Sequence, residues 1–127
     1  MIDRAADSVL RVLIVDDEPD LRLLLRTMLS LDQRFEVAGE AADGGAGLDL
    51  FQELHPDVLL LDQRMPVLMG LEVAEKVLAA HPEQLVILLS AFLNDAITAE
   101  ATGLGVRGVI GKERIEDVGS EILRLVG

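Results

Sequence analysis

The chain of 127 residues is half hydrophobic, contains no cysteine, tryptophan or tyrosine, and carries a formal charge of −12. That length and apolar content suit one globular domain with a proper core, while the lack of cysteine excludes disulfides, thiolate metal sites and cysteine nucleophiles. The acidic balance speaks against direct nucleic-acid binding, which needs a basic face, and suits divalent cations and basic protein partners.

No apolar run approaches the roughly 20 residues that span a bilayer. The opening MIDRAADSVL has neither the basic flank nor the apolar block of a secretion signal. A soluble, cytoplasmic protein with no membrane partner is expected. No linker, low-complexity tract or internal repeat divides the chain. One domain over 1–127, with its core at about 10–126 and no output domain, is the matching expectation.

The first apolar run, residues 9–15, ends on Asp16, Asp17, Glu18, Pro19 and Asp20. Pro19 suits the first turn of a helix, and Leu21, Leu24, Leu25, Met28 and Leu29 fall on one helical face. The second run is Phe35–Ala41. After it, Asp43-Gly44-Gly45-Ala46-Gly47 lacks the Lys-Ser/Thr of a phosphate-binding loop and reads as a flexible turn. Leu48, Phe51 and Leu54 then mark a helix closed by His55-Pro56. The third run, 57–61, leads to Asp62, and Leu71, Ala74, Val77 and Leu78 mark a helix closed by His81-Pro82. Neither histidine is assigned a catalytic role. The fourth run, 85–89, ends at Ser90 and precedes a weaker helix carrying Ile97, Ala101 and Leu104. The fifth, 108–110, leads to Lys112, and Ile115, Val118, Ile122 and Leu125 mark the last helix.

Near-continuous aliphatic runs are what parallel strands need when helices cover both faces. Five βα units therefore predict a parallel α/β sheet with right-handed crossovers. Asp16, Asp17, Asp62, Ser90 and Lys112 all follow strands, at the edge where open α/β sheets bind ligands. If the strand order is 2-1-3-4-5, the first and third strands are neighbours, and Asp16, Asp17 and Asp62 would then converge in the crevice there. Three carboxylates in one crevice repel unless a cation joins them. An all-oxygen set suits a hard divalent ion, Mg²⁺ above all or Mn²⁺ in its place. A carboxylate can also act as nucleophile and form an aspartyl phosphate. Lys112 then supplies fixed positive charge to the transferring group, and Ser90 a hydroxyl.

In this order, the segments VLIVDDEPD, LLLDQRMP with GLE, LLSAF and VIGK resemble the receiver domain of two-component response regulators. The resemblance covers about residues 10–126. It implies the flavodoxin-like (βα)5 fold, with a five-stranded parallel sheet of order 2-1-3-4-5. It also implies transfer of a phosphoryl group, with Mg²⁺, from a sensor histidine kinase or phosphotransfer protein. Position by position, Asp62 matches the phosphoacceptor, and Asp16 and Asp17 match the acidic pair that holds the metal. Arg64 matches the residue whose backbone carbonyl completes the metal site, with Asp62 itself a further ligand. Ser90 and Lys112 match the hydroxyl and ammonium that meet the phosphoryl group. RFEVAGEAADG and the DQRMP wording look most like receivers attached to helix-turn-helix transcription regulators. Homodimerisation on phosphorylation, through the first, fourth or fifth helix, is a further implication.

Three positions depart from the family pattern. Val109 stands where an aromatic residue often swings inward on activation, which puts the usual output coupling in doubt. Glu113 replaces a common proline after Lys112, and Met69 replaces an acidic N-cap before Gly70. Arg64 and Phe92, two residues beyond Asp62 and Ser90, are expected to restrict the hydrolytic water.

Each motif has an ordinary alternative. Asp16 and Asp17 could simply complement a helix dipole, Ser90 could be a cap, and Lys112 could be solvated surface. Only the set, at matching strand ends, outweighs these readings. A pseudo-receiver, acting as a phosphorylation-independent interaction module, is the nearest rival. A flavin binder would want aromatic stacking that this chain lacks, and an aspartate-dependent phosphatase would want Asp-x-Asp after the first strand. The expected protein assists its own phosphorylation and dephosphorylation without being an enzyme that turns over a separate substrate.

Overall fold

The computed structural model describes residues 9–127, and these form five strands alternating with five helices. The first eight positions of the domain expected over 1–127 lie outside the described residues. In chain order the elements are β1 (Leu10–Val15), α1 (Pro19–Ser30), β2 (Phe35–Ala41), α2 (Gly44–Leu54), β3 (Val58–Asp62) and α3 (Gly70–Ala80). They continue as β4 (Leu85–Ser90), α4 (Asp95–Leu104), β5 (Gly108–Gly111) and α5 (Val118–Val126), with a 3₁₀ turn over Lys112–Asp117 before α5. Every strand pair is parallel and the order is β2-β1-β3-β4-β5, the flavodoxin-like arrangement expected.

Strand side chains alternate between the two faces, which explains why β3 and β4 are aliphatic up to their polar last residues, while the edge strand β2 carries Glu36 and Glu40. Leu13, Val15, Leu59, Leu61, Val86 and Leu88 pack towards α2, α3 and α4 with Phe51, Val73, Val77 and Ala101. Val12, Ile14, Val58, Leu60, Ile87 and Leu89 pack on the other face with Leu25 and Leu29 of α1 and Val118 and Ile122 of α5. Both layers are built mainly from Leu, Val and Ile. Among the described residues no helix is long and apolar enough to cross a membrane.

Three expectations change. Leu24 does not join the buried face of α1: it is exposed, beside exposed Leu23, and the stripe that reaches the sheet is Leu21, Leu25 and Leu29. The expected last helix divides, since Arg114 leaves helical geometry and Ile115 belongs to the 3₁₀ turn.

The glycine-rich stretch is no flexible turn but the start of α2. Asp43 caps it by accepting the Ala46 N–H at 2.8 Å. Gly44 sits against Leu68 and Gly47 against Val15, so closely that a Cβ at either would meet atoms within 2.8 Å. These glycines are spacers that let α2 approach β1 and the loop after β3.

Candidate functional site

Strand register builds the site. Val15 pairs with Leu61, so Asp16 and Asp62 emerge side by side, while Ser90 pairs with Gly111, one residue before Lys112. Asp62 and Ser90 still belong to their strands, and Asp16 and Lys112 come just beyond theirs. Four strands thus deliver their polar ends to one rim. A pocket of about 420 Å³ opens there, lined by Asp17, Glu18, Asp62, Ser90, Phe92 and Lys112 together with Gln63 and Arg64.

The β1–α1 turn is fixed by its own polar atoms. Asp16 Oδ1 accepts the Glu18 N–H at 2.8 Å, and the Arg22 guanidinium donates to the Asp16 carbonyl at 2.6 Å. Asp16 is inaccessible and Asp62 is 2% exposed, whereas Asp17 and Glu18 stand at the surface. Lys112 reaches across the rim from β5. Its Nζ lies 2.8 Å from Glu18 Oε1, 3.0 Å from Asp62 Oδ1 and 3.4 Å from Asp16 Oδ2.

Burial pushes the Asp62 carboxyl up to about 6; the Asp16 charge adds to this and Lys112 opposes it. Burial also raises Asp16, against the Glu18 N–H and Lys112. For Lys112, burial disfavours the ammonium, but hydrogen bonds to Glu18 and Asp62 outweigh it and raise the pKa. The lysine therefore stays charged.

Donor chemistry favours a hard cation here. Asp16, Asp17, Glu18 and Asp62 each offer a carboxylate oxygen within 4.8 Å of the others. Asp16 Oδ2 is buried without a hydrogen-bond partner; the Lys112 contact at 3.4 Å is too long to serve as one. Such an acceptor is costly unless a cation or donor meets it. Oxygen ligands alone are what Mg²⁺ takes.

Around this centre, Ser90 Oγ accepts the Phe92 N–H at 3.2 Å, and Asp62 Oδ1 faces the Arg64 N–H at a long 3.4 Å. The Arg64 guanidinium lies 5.8 Å from the centre of the exposed Phe92 ring, a cation–π pair at the pocket mouth. Val109, half-buried in β5, packs against the α2–α4 side of the core.

Two participants escaped the sequence reading. Glu18 was visible only as one more acid, because its partner Lys112 is 94 positions away. Gln63 ties the site to α3: its carbonyl accepts the Gly70 N–H and its side-chain oxygen the Leu71 N–H, both at 2.9 Å. Glu72 accepts the Met69 N–H at 2.9 Å. The helix end that Met69 was expected to leave uncapped is thereby satisfied from elsewhere.

Comparison with known proteins agrees with the geometry. The family profile described as the response regulator receiver domain matches residues 12–123. Protein CcdB of Bacillus subtilis is 37% identical over 102 residues, covering 80% of this chain and 84% of that protein. Chemotaxis protein CheY of Thermotoga maritima is 33% identical over the same shares of each chain. Among solved structures, the signal receiver domain of the response regulator NarL from Mycobacterium tuberculosis superposes with a TM-score of 0.85 at 37% identity, covering 94% of this chain and 98% of that one. Other relatives are longer. The chain spans about a third of several protein-glutamate methylesterases and about half of the Bacillus subtilis transcriptional regulatory proteins LnrK and YdfI.

Proposed function

The chain belongs to the response regulator receiver domains, and on that premise we propose that it is the phosphoacceptor switch of a two-component phosphorelay, with Asp62 as the acceptor. The observation that carries this reading is the placing of Lys112 Nζ 3.0 Å from a buried Asp62 carboxylate that opens into a pocket. Any buried carboxylate is steadied by a cation, but one that shares an open pocket with Ser90 and further acids is also placed to react.

An Asp62 carboxylate oxygen attacks the phosphorus of a phosphohistidine on a sensor kinase or phosphotransfer protein. The P–N bond breaks, the imidazole leaves with the electron pair and regains a proton from solvent, and an acyl phosphate remains on Asp62. Lys112 Nζ pairs with a phosphoryl oxygen. Ser90 Oγ, whose lone pair holds the Phe92 N–H, gives its own proton to another. Asp16, Asp17, Asp62 and the Arg64 carbonyl would hold Mg²⁺ or Mn²⁺, which when bound neutralises charge on the transferring group. The chain contributes position and charge to its own modification and is not a turnover enzyme.

Similarity to the NarL receiver and to transcriptional regulatory proteins supports an output in transcription, through an attached domain or a partner. Direct contact with nucleic acid by a domain of charge −12 is not part of the reading. Intact mass after incubation with acetyl phosphate, with and without Mg²⁺, tests the proposal against an Asp62→Ala control. One phosphoryl group gained only by the wild type with Mg²⁺ is the expected result. No gain in a folded protein that binds Mg²⁺ would favour a phosphorylation-independent interaction module, the role that Val109 in place of an aromatic residue would suit.

A further inference from the structure

Glu18 has no part in the phosphoryl transfer described above, yet it makes the shortest contact to Lys112, at 2.8 Å. Its N–H donates to Asp16 Oδ1 at 2.8 Å, and the Arg22 guanidinium donates to the Asp16 carbonyl in the same turn. The Glu18 side chain lines the pocket and is 60% exposed, against 13% for Lys112 and 3% for Asp62, so Glu18 is the outermost of the three. Lysine has three N–H donors, and Glu18 and Asp62 engage two of them in this structure.

We propose that Glu18 is an electrostatic latch, a positioning residue that holds the Lys112 ammonium at the pocket mouth and slows the entry of anionic phosphodonors. The proposal rests on the phosphoacceptor reading. An arriving phosphoryl group competes with Glu18 for the Lys112 ammonium and meets its negative charge on the way in. Opening the latch transfers the Lys112 contact from Glu18 to a phosphoryl oxygen and releases the carboxylate to water. Asp62 and Asp16 also lie within 3.4 Å of Lys112 in this structure, so Glu18 is not the sole anchor of the ammonium.

Glu18→Gln keeps the shape and removes the charge. For a partly exposed pair the expected gain in phosphorylation rate is about three- to fivefold. The gain should be larger with dianionic acetyl phosphate than with singly charged phosphoramidate, and should shrink in high salt. A purely structural role would move neither comparison. Equal rates for the two proteins, or an equal gain with both donors, overturn the latch.

Wild type that takes no phosphoryl group at all counts against the phosphoacceptor reading. In that case calorimetric titration with beryllofluoride and Mg²⁺, which breaks no bond, still decides the latch: tighter binding by Glu18→Gln supports it, and equal or weaker binding overturns it. Mg²⁺ titrated alone supplies the last check. If Glu18→Gln weakens metal binding as much as Asp17→Asn does, Glu18 is a metal ligand and the latch is wrong.

Discussion

Asp16 and Asp62 meet at the ends of neighbouring strands, both withdrawn from water, with Lys112 the nearby cation that faces them. Asp62 titrates at about 6 in the fold, against about 3.9 in an unfolded chain. The folded state therefore binds a proton that the unfolded state gives up across that window. Its contribution to stability is present below about pH 4 and is lost as pH rises towards 6. Metal-free protein should melt at a higher temperature at pH 5 than at pH 7, and Asp62→Asn should flatten the difference. A metal-free melting temperature that rises from pH 5 to pH 7 would contradict the assignment. The pair at the pocket mouth makes a second residue-level expectation. Phe92 and Arg64 stack across the opening, so replacing both with alanine should shorten the acyl phosphate lifetime several-fold, measured by the decay of phosphoprotein after the donor is removed. The placing of the central acids, Ser90 and Lys112 on one rim was legible in the sequence because each lies at the end of an aliphatic strand or just beyond it. Glu18 and Gln63 were not, because their roles come from partners distant in the chain or from backbone atoms with no sequence signature.

At the scale of elements, the loop from Gln63 to Met69 hangs between β3 and α3, and its geometry decides where Asp62 points. A Cβ on Gly70 would stand on the Asp62 carbonyl and the Gln63 Cα, with no flexible side chain to yield. Gly70→Ala should cost about 1–3 kcal/mol as overpacking does, and should slow phosphorylation by moving Asp62. Val67, in the same loop, has φ 72, left-handed backbone that a β-branched residue rarely adopts. Its neighbours Pro66 and Leu68 close a tight turn around it, the Leu68 N–H donating to the Pro66 carbonyl at 2.8 Å. Because Val67 is also exposed, Val67→Gly should relieve strain and gain roughly 1 kcal/mol. Chemical denaturation of both variants checks the two signs. Helix and strand placement was readable from periodicity, but this loop was not. Nor were the glycine spacers at the start of α2: Gly44 and Gly47 look like turn residues in sequence and act through contacts with Leu68 and Val15 that only the fold creates.

Across the whole molecule, a two-faced aliphatic core supports one crowded acidic rim, and the same rim links ion binding to stability. Four carboxylates, Asp16, Asp17, Glu18 and Asp62, crowd the rim against the single ammonium of Lys112, which leaves excess negative charge there in the metal-free fold. At one hundred times its dissociation constant, Mg²⁺ should stabilise the native state by about 2.7 kcal/mol. For a domain of this size that is a rise in melting temperature of about 10 °C, and it should be much reduced in Asp17→Asn. The layers and the position of the rim were legible because aliphatic runs alternate with amphipathic segments and end on polar residues, whereas the strand order followed from the family resemblance and not from periodicity. How the rim signals outward was not legible, since Val109 removes the aromatic residue from which that movement would be read.

The most direct measurement is to find where the phosphoryl group goes. Protein treated with acetyl phosphate and Mg²⁺, then reduced with borohydride, converts an aspartyl phosphate to homoserine, which peptide mass mapping locates. Homoserine at position 62 alone is the predicted result. Homoserine at position 16 or 17, or none in a protein that has bound Mg²⁺, would contradict Asp62 as the acceptor.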